Sequence, residues 1–269
     1  MSSPNISFDN IPSSIRKPGQ YFEFNTKLAV RTLPANAQKV LIVAPMLASG
    51  SLEPLVATSV FSGDEAAVYF GYGSIAHLMV VAAINTYSYL DLTVIGVSDA
   101  SAGVAAAGTL TITGPASSQG VVSLWIGNTR VDVAVSAADT ATEIAAAMKT
   151  AIDNQPELPV TAAVLAGVLT LTAKNKGAAG NDIRLRAQTT ASGTTTAVVG
   201  MASGATDPDI APALANVVAA GHNIIVSPFC TQTTLTALRT HLDFVSGPME
   251  QRGAVGVAGW PGTLAAGTT

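Results

Sequence analysis

The run KVLIVAP, Lys39–Pro45, constrains the fold of this chain more than any other stretch. Apolar residues without polar alternation, several of them β-branched, suit a strand covered on both faces, as occurs when helices flank a parallel sheet. The run therefore predicts a central strand, and Leu92–Val97 predicts a second. Two helices are expected between them. One covers Ser62–Tyr69, opened by a cap-like Ser62 before Asp64 and Glu65, and the other runs from Ser74 to about Thr86. The same style returns after Gly204. Pro208–Ala220 reads as a helix ended by Gly221, Asn223–Pro228 as a strand, Thr233–Val245 as a helix and Ala254–Ala258 as a strand. Strands joined by single helices imply right-handed crossovers in one sheet.

Between these halves the pattern changes. Beyond the small-residue hinge Gly103–Gly108, apolar residues recur at period two: Leu110 and Ile112, then Val122, Leu124 and Ile126, then Val131, Val133 and Val135. Three antiparallel strands are expected there. Asp139–Ile152 predicts a helix opened by Asp139 or Thr140, with Glu143 early in it. Val160–Leu165 and Val168–Ala173 predict a hairpin around Ala166 and Gly167. Asp182–Ala187 alternates again, and a Thr/Ser/Gly tract near residue 190 is read as the end of the unit. The first residues carry Pro4, Pro12 and Pro18 among spaced apolar side chains, which predicts an extended segment in want of a partner surface. The expected fold class is α/β: a mostly parallel sheet with flanking helices, interrupted by an inserted β-rich (α+β) domain and preceded by an extended N-terminal arm. The boundaries read are 1–30 for the arm, 31–103 plus 204–269 for a discontinuous core domain, and 104–203 for the insertion.

Composition narrows the function. Charged residues make up 11% of the 269, against about 25% in ordinary domains. A surface so depleted in charge suits contact with other subunits. A net charge of −4, with no cluster of Lys and Arg, supplies no footprint for nucleic acid. A single cysteine, Cys230, rules out a disulfide within the chain and fits a reducing compartment. No apolar run reaches the roughly 20 residues that cross a bilayer, and Met1–Gln20 lacks the continuous apolar core of a signal peptide.

Residues that could carry chemistry are few. His77, His222 and His241 have neither metal-ligand spacing nor matching cysteines, and each reads as structural. Gly71, Tyr72, Gly73 and Ser74 open a helix but follow another helix, and Ala76 stands where a dinucleotide fingerprint needs its last glycine. Lys174–Asn181 has its lysines ahead of its glycines and reads as a turn. Cys230, at the C-terminal end of a strand, is either a nucleophile at the edge where α/β sheets hold active sites or a small buried side chain, the commoner case. Asp207 and Asp209 read as caps of the helix they precede. Trp125 is placed facing the core. No cofactor or metal is expected.

The order of features resembles a known family. The stretch ISFDNIPSSIRKPGQYFEFNTKLAVRTLP, Ile6–Pro34, is followed by KVLIVAP and YFGYGSIAHLMVVAAI. Further on come GTLTITG, LWIGNTRVDVAVSAADTATEIAAAM, NKGAAGNDIRLR and HNIIVSPF. Together they resemble the N-terminal region of tail sheath proteins of Mu-like contractile phages, over essentially the whole chain. The order Ile15, Arg16, Pro18, Gly19, Tyr21 is similar to the I-x-x-PG-x-Y opening of those proteins. The resemblance implies that these five residues form an assembly arm contacting a neighbouring subunit, and that the insertion is the variable outer domain. It also implies a subunit of hexameric rings around a tail tube protein, contracting to drive the tube through the host envelope, with no catalytic site. Its place would be the virion, after assembly in the host cytoplasm. Similar proteins continue past the point matching Thr269, so this chain is expected to be a C-terminally truncated, monomeric form. Two other readings stay open: an α/β enzyme using Cys230, and an adhesion module marked by exposed aromatics.

Overall fold

A computed structural model describes residues 19–20, 38–87, 89–260 and 262. The chain divides into two compact units, Met1–Ala37 and Gln38–Thr269. In the first, the described residues are Gly19 and Gln20, both exposed; Ile15, Arg16, Pro18 and Tyr21 lie outside the described residues.

The second unit contains a five-stranded sheet. Its strands are β1 (Lys39–Met46), β2 (Ala57–Ser59), β3 (Asp91–Ser98), β11 (Ile224–Ser227) and β12 (Val255–Ala258), in the order β12-β11-β1-β3-β2. All neighbours are parallel except β2, which runs antiparallel to β3. β1 holds the middle place. Successive side chains of a strand point to opposite faces, so β1 feeds two cores. Val40, Ile42, Ala44 and Met46 pack with Phe70 of α1 (Gly63–Phe70) and with Ala76 and Val80 of α2 (Ile75–Thr86). Leu41 and Val43 pack on the other face, with Leu214 and Val217 of α4 (Ala211–Val217) and Leu238 of α5 (Gln232–Val245). That two-sided demand is why Val40–Met46 contains no polar residue. β2, only three residues long, lies at an edge, too short for any period to announce it in the sequence.

The helices start where their caps are. Ser62 accepts from the amide of Glu65, and Ser74 from that of His77. α4 is shorter than the sequence suggests: Pro212 stands in its first turn, a 3-10 turn over Val218–Ala220 follows it, and Gly221 ends the segment at φ 67°.

Residues 105–202 form two further sheets. One contains β4 (Ala105–Thr113), β7 (Val160–Leu165), β8 (Val168–Lys176) and β10 (Thr195–Ala202), in the order β10-β4-β8-β7. The other contains β5 (Gly120–Ile126), β6 (Thr129–Val135) and β9 (Leu185–Thr189), in the order β6-β5-β9. Both share a core with Ile144, Ala145, Met148 and Ile152 of α3 (Ala141–Asp153). α3 opens with a capping box, Thr140 and Glu143 each bonding the other's backbone amide.

Two sequence expectations are corrected here. β4 does not continue into β5 and β6. The connection over Gly114–Gln119 is longer than a tight hairpin turn, and β4 instead lies between β10 and β8, in the other sheet. Nor does the unit close near residue 190. β10 follows, a sheet-edge strand in which only Met201 is buried, so it lacks the apolar alternation that would have revealed it.

Because Leu41 is fully buried at the middle of the sheet, Leu41→Ala is expected to lower the unfolding free energy by about 2–5 kcal/mol, measured by chemical denaturation.

Candidate functional site

Parallel α/β sheets hold ligands at the C-terminal ends of their strands. Here the chain itself occupies part of that end. β8 finishes against it, and its Asn175, a buried amide, is satisfied on both sides. Asn175 Nδ2 donates to the carbonyl of Met46 at the end of β1 (3.2 Å) and to Asp99 Oδ1 just past β3 (3.1 Å). Its Oδ1 accepts from the amide of Ile75, the first residue of α2 (3.0 Å). The amide of Lys176 donates to Asp99 Oδ2 (2.9 Å). Lys174 Nζ donates to the carbonyls of Tyr72 (3.1 Å) and Pro156 (2.7 Å). At Gly73, with φ 75°, a Cβ would lie 2.3 Å from the carbonyl oxygen of Leu158, so only glycine allows this approach.

The turn Gly71–Ser74 is consumed by the same junction. The Gly73 amide donates to His77 Nδ1 (3.2 Å), the His77 amide to Ser74 Oγ (3.1 Å) and the Ile75 amide to Asn175. The amides of Ile75 and His77, which an anion at the start of α2 would need, are thus already bonded. Burial holds the His77 imidazole below its ordinary pKa, which keeps Nδ1 free to accept.

Cys230 lies in the loop after β11, half-buried. Burial pushes its thiol up, and Asp182 and Asp207 add to the shift, so its surroundings oppose the thiolate that a nucleophile requires. His222 lies just before β11 and His241 on α5, both held low first by burial. Among the described residues no group of three or more His, Cys, Asp and Glu could hold a metal, and no helix is long and apolar enough to cross a membrane.

The two aspartates before α4 part company. Asp209 accepts from the Ala211 amide (2.9 Å) as expected, whereas Asp207 accepts from the Ala178 amide (2.7 Å) in the turn after β8. Asp207 thus ties the chain entering α4 to the end of β8, a role that capping logic did not foresee. Trp125 is corrected too: Leu124 and Ile126 on either side of it face the core, so strand alternation turns Trp125 outward.

A second surface feature lies at the far edge of the five-stranded sheet. β12 pairs with β11 on one side, and no strand among the described residues covers the other. Its Val255 is 62% exposed and Val257 47%, with Met249 95% exposed in the segment leading to it. An open apolar edge of this kind is a template for strand addition. Neither this edge nor the Asn175 junction was legible in the sequence, since both depend on which strands become neighbours.

No protein-family model matches the chain. The Mu-like prophage FluMu tail sheath protein of Haemophilus influenzae is 35% identical to it over 269 residues, covering 98% of this chain and 55% of that protein. Over the matched residues the chain is similar to a Mu-like tail sheath protein. It spans about half the length of that sheath relative. Among solved structures, the sheath tail protein of Desulfitobacterium hafniense is 16% identical, with a TM-score of 0.31 over 88% of this chain and 52% of that one. That of Listeria innocua is 13% identical, with a TM-score of 0.30 over 84% and 48%. Both likenesses are too slight to bear on the fold of this chain.

Asn175→Ala leaves the Ile75 amide and the Met46 carbonyl without their partner, and is expected to lower the unfolding free energy by about 2–4 kcal/mol, read by denaturant titration. Burial raises the Asp99 carboxyl above its ordinary 3.8, outweighing its bonds to Lys176 and Asn175. A raised folded-state value means that the stability contributed by the protonated acid is complete below the unfolded pKa and is lost as pH rises through the folded one. Relative to wild type, Asp99→Asn should therefore gain stability as pH is raised above 3.8 and level off once the raised folded-state value is passed, measured by thermal unfolding across a pH series.

Proposed function

We propose that this chain is a structural subunit of a contractile phage tail sheath, which polymerises around the tail tube protein and contracts to drive the tube through the host envelope during genome ejection. The observation that carries the reading is the 35% identity maintained across 98% of the chain. In this reading the full-length form assembles as hexameric rings, the protein resides in the virion tail after assembly in the host cytoplasm, and no cofactor or catalytic step takes part. Contraction then requires two lattice packings of different free energy, with the subunits linked throughout.

The link is assigned to residues 1–30, with Ile15, Arg16, Pro18, Gly19 and Tyr21 as the inter-subunit contacts. An extended segment can add a strand to a neighbour's sheet edge and keep its hydrogen bonds while the bodies rearrange. The open, apolar edge at β12 supports such an exchange. Residues 31–103 and 204–269 are read as one discontinuous core domain and 104–203 as its inserted outer domain. Support comes from β3 and β11, which share the five-stranded sheet although residues 105–202 lie between them in sequence, and from the separate core that those residues build.

Electron microscopy of this chain, beside a version extended at its C-terminus to the length of the relative, tests the proposal. Tubes or stacked rings are expected from the longer form, and their loss on replacing Ile15 and Tyr21 by alanine. Compact particles from both lengths would refute it.

A further inference from the structure

The outward face of the three-stranded sheet carries a row of cations. Trp125 is the cross-strand partner of Arg130 on β6 and of Arg186 on β9. The guanidinium carbons lie 5.3 and 5.2 Å from the indole centroid, within cation–π range. Arg130 is committed, its Nε to Asp132 Oδ1 (2.7 Å) and its Nη2 to Ser123 Oγ (3.1 Å). Arg186 is not, and neither is Arg184: both are exposed, and among the described residues neither forms an ion pair. They border a groove of about 750 Å³, lined also by Trp125, Asn128, Asp182 and Met201. That volume is in the range of small-molecule sites.

The order of groups along this wall is specific. Asp182, Arg184, Arg186 and Gln188 are exposed, while Ile183, Leu185 and Ala187 turn into the core. The exposed side therefore offers an acceptor, two cations and an amide in succession. We propose that this groove binds an acidic saccharide, a pyranose bearing a carboxylate. The planar fork of an arginine matches a carboxylate with two parallel hydrogen bonds. Asp182 accepts from sugar hydroxyls. A polyphosphate or nucleic acid meets the Asp182 charge, and a neutral sugar leaves both arginines without a counter-charge. Stacking on the indole restricts the Arg186 side chain before the ligand arrives, which lowers the entropy lost on binding. Two uncommitted arginines on a chain of net charge −4 also mark the place as electrostatically distinct.

The test is a titration of the intact chain with cellobiouronic acid, cellobiose and inorganic phosphate, followed by the indole N–H resonance of Trp125, assigned with Trp260→Phe. Cellobiouronic acid is expected to shift that resonance and to bind about tenfold more tightly than either control. Arg186→Gln and Arg184→Gln should each weaken it about tenfold, while Lys149→Gln, a distant exposed cation, leaves it unchanged. Phosphate binding as tightly as the acid sugar would overturn the proposal, as would indifference to Arg184→Gln and Arg186→Gln. A resonance that moves with protein concentration but with no sugar would assign the face to a second copy of the chain instead.

Discussion

One buried amide, that of Asn175, joins the two structural regimes of this chain. An amide both donates and accepts, and here it bonds the end of β1 through Met46, the segment after β3 through Asp99 and the start of α2 through Ile75. Three elements of the five-stranded sheet region thus take their position from the last residues of β8. Lys174, holding the carbonyls of Tyr72 and Pro156, and Gly73, backed against Leu158, extend the seam. The partners are backbone groups and a carboxylate that would otherwise be desolvated and unpaired, so the seam is enforced by what its loss would leave exposed.

That seam also bears on function. The C-terminal edge of a parallel sheet is where an enzyme of this class would open a cleft. In this chain the start of α2 and the ends of β1 and β3 are bonded to β8, and the thiol at the end of β11 sits where burial and two carboxylates oppose its ionisation. These hydrogen bonds fix the parts against one another at that end of the sheet. Other open surfaces are the short edge β12, with its exposed valines, and the arginine row around Trp125.

Much of the fold could be read in advance because its signals are local. KVLIVAP had to be central, since residues alternating along it face different cores. Ser62, Ser74 and the Thr140–Glu143 pair marked helix starts through hydrogen bonds made within one turn. Reading failed where the deciding partner was distant in sequence. β10, an edge strand with one buried residue, has the composition of a Thr-rich loop, and β4 shares the apolar period of β5 and β6 although its neighbours are β8 and β10. The outward setting of Trp125 follows from the alternation of Val122, Leu124 and Ile126.

The sequence by itself determined the kinds of most elements, most of their boundaries and the resemblance to tail sheath proteins, because propensity, capping and periodicity act over a few residues and identity is a property of the string. Tertiary structure alone decided which strands became neighbours, that Asn175 rather than a ligand satisfies the start of α2, that Asp207 serves Ala178 instead of its own helix, and that Trp125 lies between two arginines. Most of these depend on groups far apart in the chain, 100 residues for Ile75 and Asn175 and 129 for Met46 and Asn175. Their meeting is set by the packing of whole sheets, and no short window of sequence encodes it.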